Sequence, residues 1–175
     1  VSSRRWLVIG MGLILGMGFG GVILIRPVSL FASDRIEVGY SVPDFKLTSL
    51  DGATTSLTDF RERPLILNFW ASWCEPCREE MPSLQQVYEG LEGRIFIMGI
   101  NYAESSSHVL SFTHAIGLTF PVLLDSKGEV AERYRIVGFP TSFFVNSEGK
   151  LAADHVGVLT PDMLSTGLEV LGVKP

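Results

Sequence analysis

The sequence has few of the residues that build disulfide-held or metal-bound scaffolds: its 175 residues include only two cysteines and three histidines. Two cysteines form at most one disulfide, which excludes a small scaffold held together by several such bonds. The histidines, His108, His114 and His155, have no ligand spacing with Cys74 or Cys77. We therefore expect neither a metal site nor a cofactor.

Positive charge is also scarce. The chain has 14 lysine and arginine residues against 19 aspartate and glutamate residues, and its formal net charge is −5. It lacks the basic footprint of nucleic-acid-binding proteins, so no nucleic-acid partner is expected. Because 46% of the residues are hydrophobic and only 19% are charged, the chain can bury a core and is not a disordered protein. Its length allows one ordinary domain and a modest appendage.

Hydrophobic residues are concentrated near the N-terminus. The mean hydropathy of +0.30 is high for a soluble domain, and the stretch from Leu7 to Ile25 has no charged residue over 19 positions. As a helix it would span about 28 Å, close to the hydrocarbon thickness of a bilayer. Arg4 and Arg5 precede it and only Arg26 follows directly, which places the N-terminus inside the cell. We predict a cytoplasmic N-terminus (1–5), a transmembrane anchor (6–25), a linker (26–40) and an extracytoplasmic domain (41–175), located at the cell membrane.

A cleaved signal peptide is the alternative interpretation of this stretch. Signal peptides have a shorter apolar core, about 7–15 residues long, and small residues at the cleavage site. Here the only candidate site, Leu30-Phe31-Ala32, has a bulky residue where a small one is preferred. An uncleaved anchor is therefore favoured.

The rest of the chain predicts an α/β fold. Hydrophobic periodicity and turn residues predict a leading hairpin (44–47 and 54–57), buried strands (65–70, 94–101 and 121–125), two closing strands (141–145 and 151–156) and helices (74–91, 105–116, 129–134 and 160–171). Alternating strands and helices followed by a terminal hairpin indicate a central mixed sheet with helices on both faces.

The chemistry of the chain is concentrated in Cys74-Glu75-Pro76-Cys77, at the start of a predicted helix. Two cysteines at this spacing lie within bridging range, and the first faces the unpaired amides of the helix N-terminus, which favour a thiolate. The thiolate is the nucleophile in disulfide exchange, so Cys74 is predicted to attack and Cys77 to resolve the mixed disulfide. Pro76 has no amide hydrogen to lose in the first turn.

A purely structural disulfide is the alternative for this pair. A bridge across two residues closes a very short loop and gains little chain entropy, so it would stabilise the fold poorly. Within this region Glu79 and Glu80 are interpreted as favourable charges in the first turns of the helix.

Three stretches carry a resemblance to a known family: NFWASWCEPCREEMP, FPVLLDSKGEVAERYRI and GFPTSFFVNSEGK. They resemble the thioredoxin superfamily, and within it the membrane-anchored thiol-disulfide oxidoreductases of the ResA/TlpA type, over residues 40–172. The resemblance implies a thioredoxin-like fold with an insertion between the second core strand and the proline loop. It also implies a cis peptide bond between Phe139 and Pro140, which with Trp73 would shape the groove for the substrate.

The resemblance also bears on the acid near the thiols. Cytoplasmic thioredoxins carry a buried aspartate in the strand before the active site, whereas this chain has Asn68, the usual residue of the ResA-type pattern. Glu75 and Glu104 occupy positions where ResA-like proteins carry glutamates near the thiols. A carboxylate close to Cys74 would raise the thiol pKa, so we predict a reductant rather than a strong oxidant.

The implied activity is the reduction of protein disulfides. The resemblance points to apocytochrome c, whose haem-binding cysteines must be reduced during cytochrome c maturation, and to a membrane thiol carrier of the CcdA type as electron donor. TlpA-like reduction for copper delivery to oxidase is one alternative. A peroxiredoxin-like peroxidase is another, although the residues before Cys74 lack the expected proline and threonine or serine spacing. A non-enzymatic binding module is the third.

Overall fold

The computed structural model describes residues 36–91 and 93–174. The predicted anchor and cytoplasmic N-terminus, and the linker up to residue 35, lie outside these ranges. Within the two described ranges, no helix combines the length and the apolar character needed to cross a membrane. Residues 36–40, assigned above to the linker, already contact the folded domain. The Gly39 amide donates to the Leu151 carbonyl, and the Leu151 amide donates to the Tyr40 carbonyl.

The strands of the described residues form one mixed sheet. They are β1 (Lys46–Ser49), β2 (Thr54–Ser56), β3 (Leu65–Trp70), β4 (Phe96–Tyr102), β5 (Val122–Asp125), β6 (Thr141–Val145) and β7 (Leu151–Val156). Their order across the sheet is β2-β1-β5-β4-β3-β6-β7. β4 runs parallel to β3 and β5, and the other neighbouring strands are antiparallel. The predicted mixed sheet with a hairpin at each end is confirmed.

Helices cover both faces of this sheet. They are α1 (Glu75–Gly90), α2 (Ser106–Ala115), α3 (Glu129–Arg133) and α4 (Pro161–Val170). Buried side chains of α1, α2 and α4 share one core, whereas α3 packs into a second core on the opposite face. α2 lies between β4 and β5, which is where the insertion was predicted.

The leading hairpin differs from its predicted bounds for a local reason. Ser56 ends β2 by capping a short 3-10 turn, Leu57–Phe60, and its own amide donates to the Asp59 carboxylate at 2.8 Å. The Ser56 hydroxyl also donates to the Asp44 carboxylate at 3.2 Å. Asp44, predicted to begin the first strand, therefore lies before β1 and tethers this turn.

β3 positions the functional end of the domain. It pairs with β4 on one side and β6 on the other, and all six of its residues are buried, as expected for a central strand covered on both faces. Because β3 and β4 are parallel, the residues that follow them, Ala71 to Cys74 and Ala103 to Ser105, lie at the same edge of the sheet.

Candidate active site

The two cysteines lie at the N-terminus of α1 and form a disulfide. Cys74 is the N-cap residue, and its Sγ accepts a 3.2 Å hydrogen bond from the Cys77 amide. Pro76 lies in the first turn of α1, where amides have no carbonyl partner within the helix. Cys77 is fully buried, whereas Cys74 keeps a small exposed area. Cys74 is thus the residue of the pair that an incoming molecule can reach.

The loop before β6 lies beside this disulfide. The peptide bond between Phe139 and Pro140 is cis, as the resemblance implies. Thr141, the next residue, pairs with Phe69 of β3, which brings the loop to the edge where β3 leads into the cysteine turn. The rings of Trp73 and Phe139 meet nearly at right angles, with 5.8 Å between centroids. Since Trp73 is 64% exposed, an apolar surface adjoins Cys74.

Glu75 lies between the cysteines and is exposed to solvent. Its Oε2 is 3.3 Å from Nη1 of Arg78, one turn further along α1. An exposed ion pair of this kind is worth little to stability. The Arg78 charge nevertheless offsets part of the influence that the Glu75 carboxylate has on Cys74.

Glu104, in the turn after β4, is engaged by several donors. Its Oε2 accepts hydrogen bonds from the Ser72 amide and from Asn101 Nδ2, each at 2.7 Å. Its Oε1 accepts a 2.5 Å hydrogen bond from the Ser72 hydroxyl. Burial acts to raise the pKa of Glu104, but the hydrogen bonds from Ser72 and Asn101 and the charge of His108 together hold it below its ordinary value. Glu104 therefore fixes the turn two residues before Cys74.

Ser72 and His108 complete this cluster, and neither is among the predicted site residues. Nε2 of His108 lies 2.8 Å from the Ser72 hydroxyl oxygen and 3.6 Å from Oε1 of Glu104. Because Ser72 donates to Glu104, its oxygen is free to accept from His108. The one signal in the sequence is the four-residue spacing of Glu104 and His108, which places such pairs together at the start of a helix.

The structure contradicts the interpretation of Glu80 as a favourable charge in the first turns of α1. It is only 1% exposed, whereas its neighbour Glu79 faces solvent. Oε1 of Glu80 accepts a 2.7 Å hydrogen bond from Asn68 Nδ2, and Oε2 accepts one of 2.8 Å from the Leu159 amide. Burial raises the pKa of Glu80 to about 7, although these two hydrogen bonds oppose the shift. The interpretation was wrong because Glu80 lies on the buried side of α1.

Asn68 takes part in a second contact at the same point. Its Nδ2 also donates to the Ser142 hydroxyl at 2.9 Å, which links β3 to β6. Its Oδ1 is buried and has no hydrogen-bond partner among the described residues. The position that holds an aspartate in cytoplasmic thioredoxins thus holds a neutral amide here, and the carboxyl group comes from α1 instead.

Within residues 36–91 and 93–174, no three histidine, cysteine, aspartate or glutamate side chains are placed to hold a metal ion. The groups that meet at the site are the Cys74–Cys77 disulfide, a buried carboxyl group, a hydrogen-bonded carboxylate and an aromatic surface. Such a set suits thiol-disulfide exchange, in which thiolate formation and proton transfer control the rate.

Similarity to known proteins extends over most of the chain. Residues 38–154 match the AhpC/TSA family. The thioredoxin-like protein YneN of Bacillus subtilis strain 168 is 32% identical over 170 residues, covering 95% of this chain and 98% of that protein. The thiol-disulfide oxidoreductase ResA of Geobacillus thermodenitrificans is 34% identical over 145 residues, covering 80% of each chain.

A solved structure supports the same assignment. The crystal structure of StoA from Bacillus subtilis superposes with a TM-score of 0.62 at 32% identity, covering 71% of this chain and 96% of that one. These relatives favour an enzyme over the non-enzymatic binding module considered above. The chain therefore belongs to the AhpC/TSA family of thioredoxin-like proteins and is a thiol-disulfide oxidoreductase of the ResA and StoA type.

Proposed function

We propose that this protein is a membrane-anchored reductase of protein disulfides that works outside the cytoplasm. The observation that carries the proposal is the cysteine pair at the start of α1, with the more exposed Cys74 beside the apolar surface of Trp73 and Phe139. A protein substrate can present its disulfide to Cys74 across this surface. Cys77 is buried behind Cys74 and acts only in the second step, in which it attacks the Cys74 sulfur of the mixed disulfide.

The reaction exchanges one disulfide for another. The Cys74 thiolate attacks one sulfur of the substrate disulfide, a mixed disulfide forms, and the other substrate sulfur leaves as a thiolate that takes up a proton. Cys77 then loses its proton and attacks the Cys74 sulfur, which releases the second substrate thiol and closes the Cys74–Cys77 disulfide. Two electrons pass to the substrate, so a thiol donor must reduce the enzyme again before the next cycle.

Glu80 is placed to take up the proton of Cys77. The two residues lie three apart on α1 and are both buried, so they share one side of the helix. A carboxyl group with a pKa of about 7 is partly ionised at neutral pH and accepts a proton readily. Glu80 here fills the role of proton acceptor that Asn68 cannot fill.

Asn68 can accommodate both charge states of Glu80. In the structure its Nδ2 donates to the carboxylate. If Glu80 is protonated, a turn of the amide lets Oδ1 accept from the carboxylic acid, since the Ser142 hydroxyl can donate as well as accept. An aspartate at this position would place a second negative charge against Glu80.

The positions of Glu75 and Glu80 also support reduction of the substrate disulfide rather than its formation. Glu75 lies at the start of α1, where its charge opposes the favourable effect of the helix N-terminus on the Cys74 thiolate. Buried Glu80 adds a second group that disfavours negative charge on Cys77. When the thiolates are not stabilised, the disulfide form is favoured and the dithiol gives up its electrons.

The family resemblance supports a particular substrate and donor. We propose that the substrate is apocytochrome c with its haem-binding cysteines oxidised, and that a membrane thiol carrier of the CcdA type returns the electrons. The apolar stretch from Leu7 to Ile25, with its flanking arginines, supports the anchor and the outward orientation.

Trapping of the mixed disulfide tests this function. The full-length Cys77→Ala variant, produced in cells that make c-type cytochromes, cannot resolve the intermediate and is expected to accumulate a Cys74-linked adduct with apocytochrome c, identified by mass. The Cys74→Ala variant is the control and should trap nothing. An adduct with a copper-site assembly protein would favour the TlpA-like alternative, and the absence of any thiol-linked partner would argue against the reductase.

Orientation is tested separately in intact cells. A membrane-impermeant maleimide should label Cys74 of the reduced protein without lysis, and the protein should stay with the membranes during carbonate extraction. Labelling only after lysis, or release by carbonate, would contradict the proposed anchor and its orientation.

A further inference from the structure

His108, in the first turn of α2, links this helix to the turn that carries Cys74. Its Nε2 lies 2.8 Å from the Ser72 hydroxyl oxygen, and its own amide donates to the Ser105 hydroxyl that caps α2. Ser72 lies two residues before Cys74, in a turn closed by a 3.2 Å hydrogen bond from the Cys74 amide to the Ala71 carbonyl. The position of α2 is therefore coupled to the turn before the attacking cysteine.

The chemistry of the contact between His108 and Ser72 assigns its donor. The Ser72 hydroxyl has a single hydrogen, which it donates to Oε1 of Glu104 at 2.5 Å, because an ionised carboxylate can only accept. Nε2 of His108 must then donate to the Ser72 oxygen. A neutral imidazole with its hydrogen on Nε2 and an imidazolium can both make this bond. The contact depends on the Nε2 hydrogen and not on the charge of the ring.

His108 also covers the hydrogen bonds between Ser72 and Glu104. Its side chain is 61% exposed, whereas that of Glu104 is 10% exposed, and Ser72 is buried. An exposed ring in contact with two nearly buried groups shields them from solvent. Without the ring, water would compete for the hydrogen bonds that join Ser72 to Glu104. The turn before Cys74 would then be held less firmly.

The contact of His108 with Ser72 matters most when the disulfide is open. In the oxidised protein the Cys74–Cys77 bond ties the turn covalently to α1. In the dithiol form this bond is gone, and the turn depends on the hydrogen bonds between Ser72 and Glu104. The dithiol form is also the one that attacks a substrate. Attack requires the Cys74 sulfur to be aligned with the substrate disulfide, and small misplacements slow such reactions.

We propose that His108 is a positioning residue for the reductase reaction, which holds the Ser72 hydroxyl on Glu104 and so fixes the turn before Cys74 in the dithiol form. The inference rests on the proposed reductase function and adds to it a residue outside the cysteine motif. In this role His108 acts through Ser72 rather than by contact with the reacting sulfurs. A neutral side chain with an N–H at the same place can replace the imidazole.

Two substitutions of His108 in the full-length protein test this role. Each protein is reduced, freed of reductant and mixed with increasing concentrations of a synthetic peptide that contains the oxidised haem-attachment motif Cys-Ala-Ala-Cys-His. Acid quenching and thiol alkylation measure the rate at which the Cys74–Cys77 disulfide closes. His108→Leu should lower the maximal rate about fivefold, the factor that corresponds to one hydrogen bond of ordinary strength. The half-saturating peptide concentration should stay unchanged, because the surface that binds the peptide is intact.

His108→Gln separates the donor from the charge. The glutamine side chain reaches about as far as Nε2 of histidine and donates from a neutral amide, so its maximal rate should lie within about twofold of the wild type. His114→Leu is the matched control: His114 lies on the same helix and is exposed to solvent, and this variant should react like the wild type.

A Ser72→Ala protein tests the route by which His108 acts. Without the Ser72 hydroxyl, the Nε2 hydrogen of His108 has lost its acceptor. Adding His108→Leu to Ser72→Ala should therefore cause no further loss of rate, since residues that act through one contact have non-additive effects.

The outcomes separate the role of His108 from the function on which it rests. The positioning role is overturned if His108→Leu reacts as fast as the wild type or if His108→Gln is as slow as His108→Leu. A changed half-saturating concentration, or a full further loss in the Ser72→Ala protein, would also overturn it. If the reduced wild-type protein leaves the peptide oxidised, the reductase function fails, and this inference fails with it.

Discussion

The amide nitrogen of Asn68 donates a 2.7 Å hydrogen bond to the buried carboxyl group of Glu80. This contact joins the central strand to the helix that carries both cysteines. The second oxygen of Glu80 accepts from the Leu159 amide, just before α4, so one side chain connects three parts of the fold. Since burial raises the pKa of Glu80 to about 7, the charge at this junction changes near neutral pH.

The Glu80→Gln variant should remove a pH dependence of stability. The folded-state pKa of Glu80 is raised above its ordinary value of 4.5 to about 7. The stabilising effect of the protonated Glu80 side chain is therefore fully present below about pH 4.5 and is lost as the pH rises through about 7. The loss in the free energy of unfolding is on the order of 3 kcal/mol. Urea unfolding of the oxidised protein at several pH values between 5 and 8 measures it.

Glu79→Gln is the matched control for this experiment. Glu79 is the neighbouring residue on α1 and faces solvent, so its replacement should leave the pH dependence as in the wild type. A Glu80→Gln protein that lost stability with pH as steeply as the wild type would show that Glu80 is not the titrating group.

Glu104→Gln should loosen the turn before Cys74. An amide nitrogen at this position would face either Ser72 or Asn101, both of which donate to the carboxylate in the structure. The expected loss in the free energy of unfolding is about 1–3 kcal/mol, typical of a buried donor left without a partner. Urea unfolding measures the stability, and the rate at which reduced Cys74 reacts with iodoacetamide reports on the turn.

The Glu75→Gln variant distinguishes the positioning of the turn by Glu104 from an effect of carboxylate charge on Cys74. It removes an exposed carboxylate next to Cys74 but no hydrogen bond to the turn. It should change the pH dependence of the Cys74 reaction while leaving stability within about 0.5 kcal/mol of the wild type. If Glu104→Gln behaved in the same way, Glu104 would act through its charge alone.

Gly167→Ala should destabilise the core beneath α4. A Cβ atom at Gly167 would lie 2.1 Å from Cε1 of the buried Phe144 ring, so the ring has to move. Overpacking costs about 1–3 kcal/mol and the gain in helix propensity returns about 1 kcal/mol. Gly90→Ala in α1 has open space around its new methyl group and should not destabilise. Thermal unfolding compares the two, and equal melting temperatures would contradict the packing described for α4.

A peroxidase assay separates the reductase from the peroxidase alternative. With dithiothreitol as electron donor, the wild-type protein should consume hydrogen peroxide no faster than the Cys74→Ala variant, because the sequence before Cys74 lacks the spacing of a peroxidatic cysteine. Peroxide turnover that depends on Cys74 and proceeds as fast as disulfide reduction would favour the peroxidase.

Local patterns were sufficient to predict much of the fold. The apolar run Leu65–Trp70 identified the central strand, and the cysteine spacing with Pro76 identified the start of α1. Each of these features depends on residues close together in the chain, where strand length, capping and the chemistry of proline act directly. The cis bond at Pro140 came from the family resemblance, because most peptide bonds before proline are trans.

The partners of the carboxyl groups could not be predicted in the same way. Glu79 and Glu80 are adjacent in sequence, and only the rotation of α1 against the sheet decides which one is buried. Glu80 contacts Leu159, far along the chain, and Glu104 contacts Ser72 only because β3 and β4 pair in parallel. Such contacts follow from tertiary packing rather than from periodicity.

The reduction potential of the Cys74–Cys77 couple tests the central claim most directly. The oxidised and reduced forms of the full-length protein can be equilibrated with dithiothreitol buffers and quantified by thiol alkylation. A protein-disulfide reductase is expected to have a potential near that of thioredoxin, about −270 mV, or lower. A potential near about −120 mV, the value of a strong disulfide donor, would contradict the account.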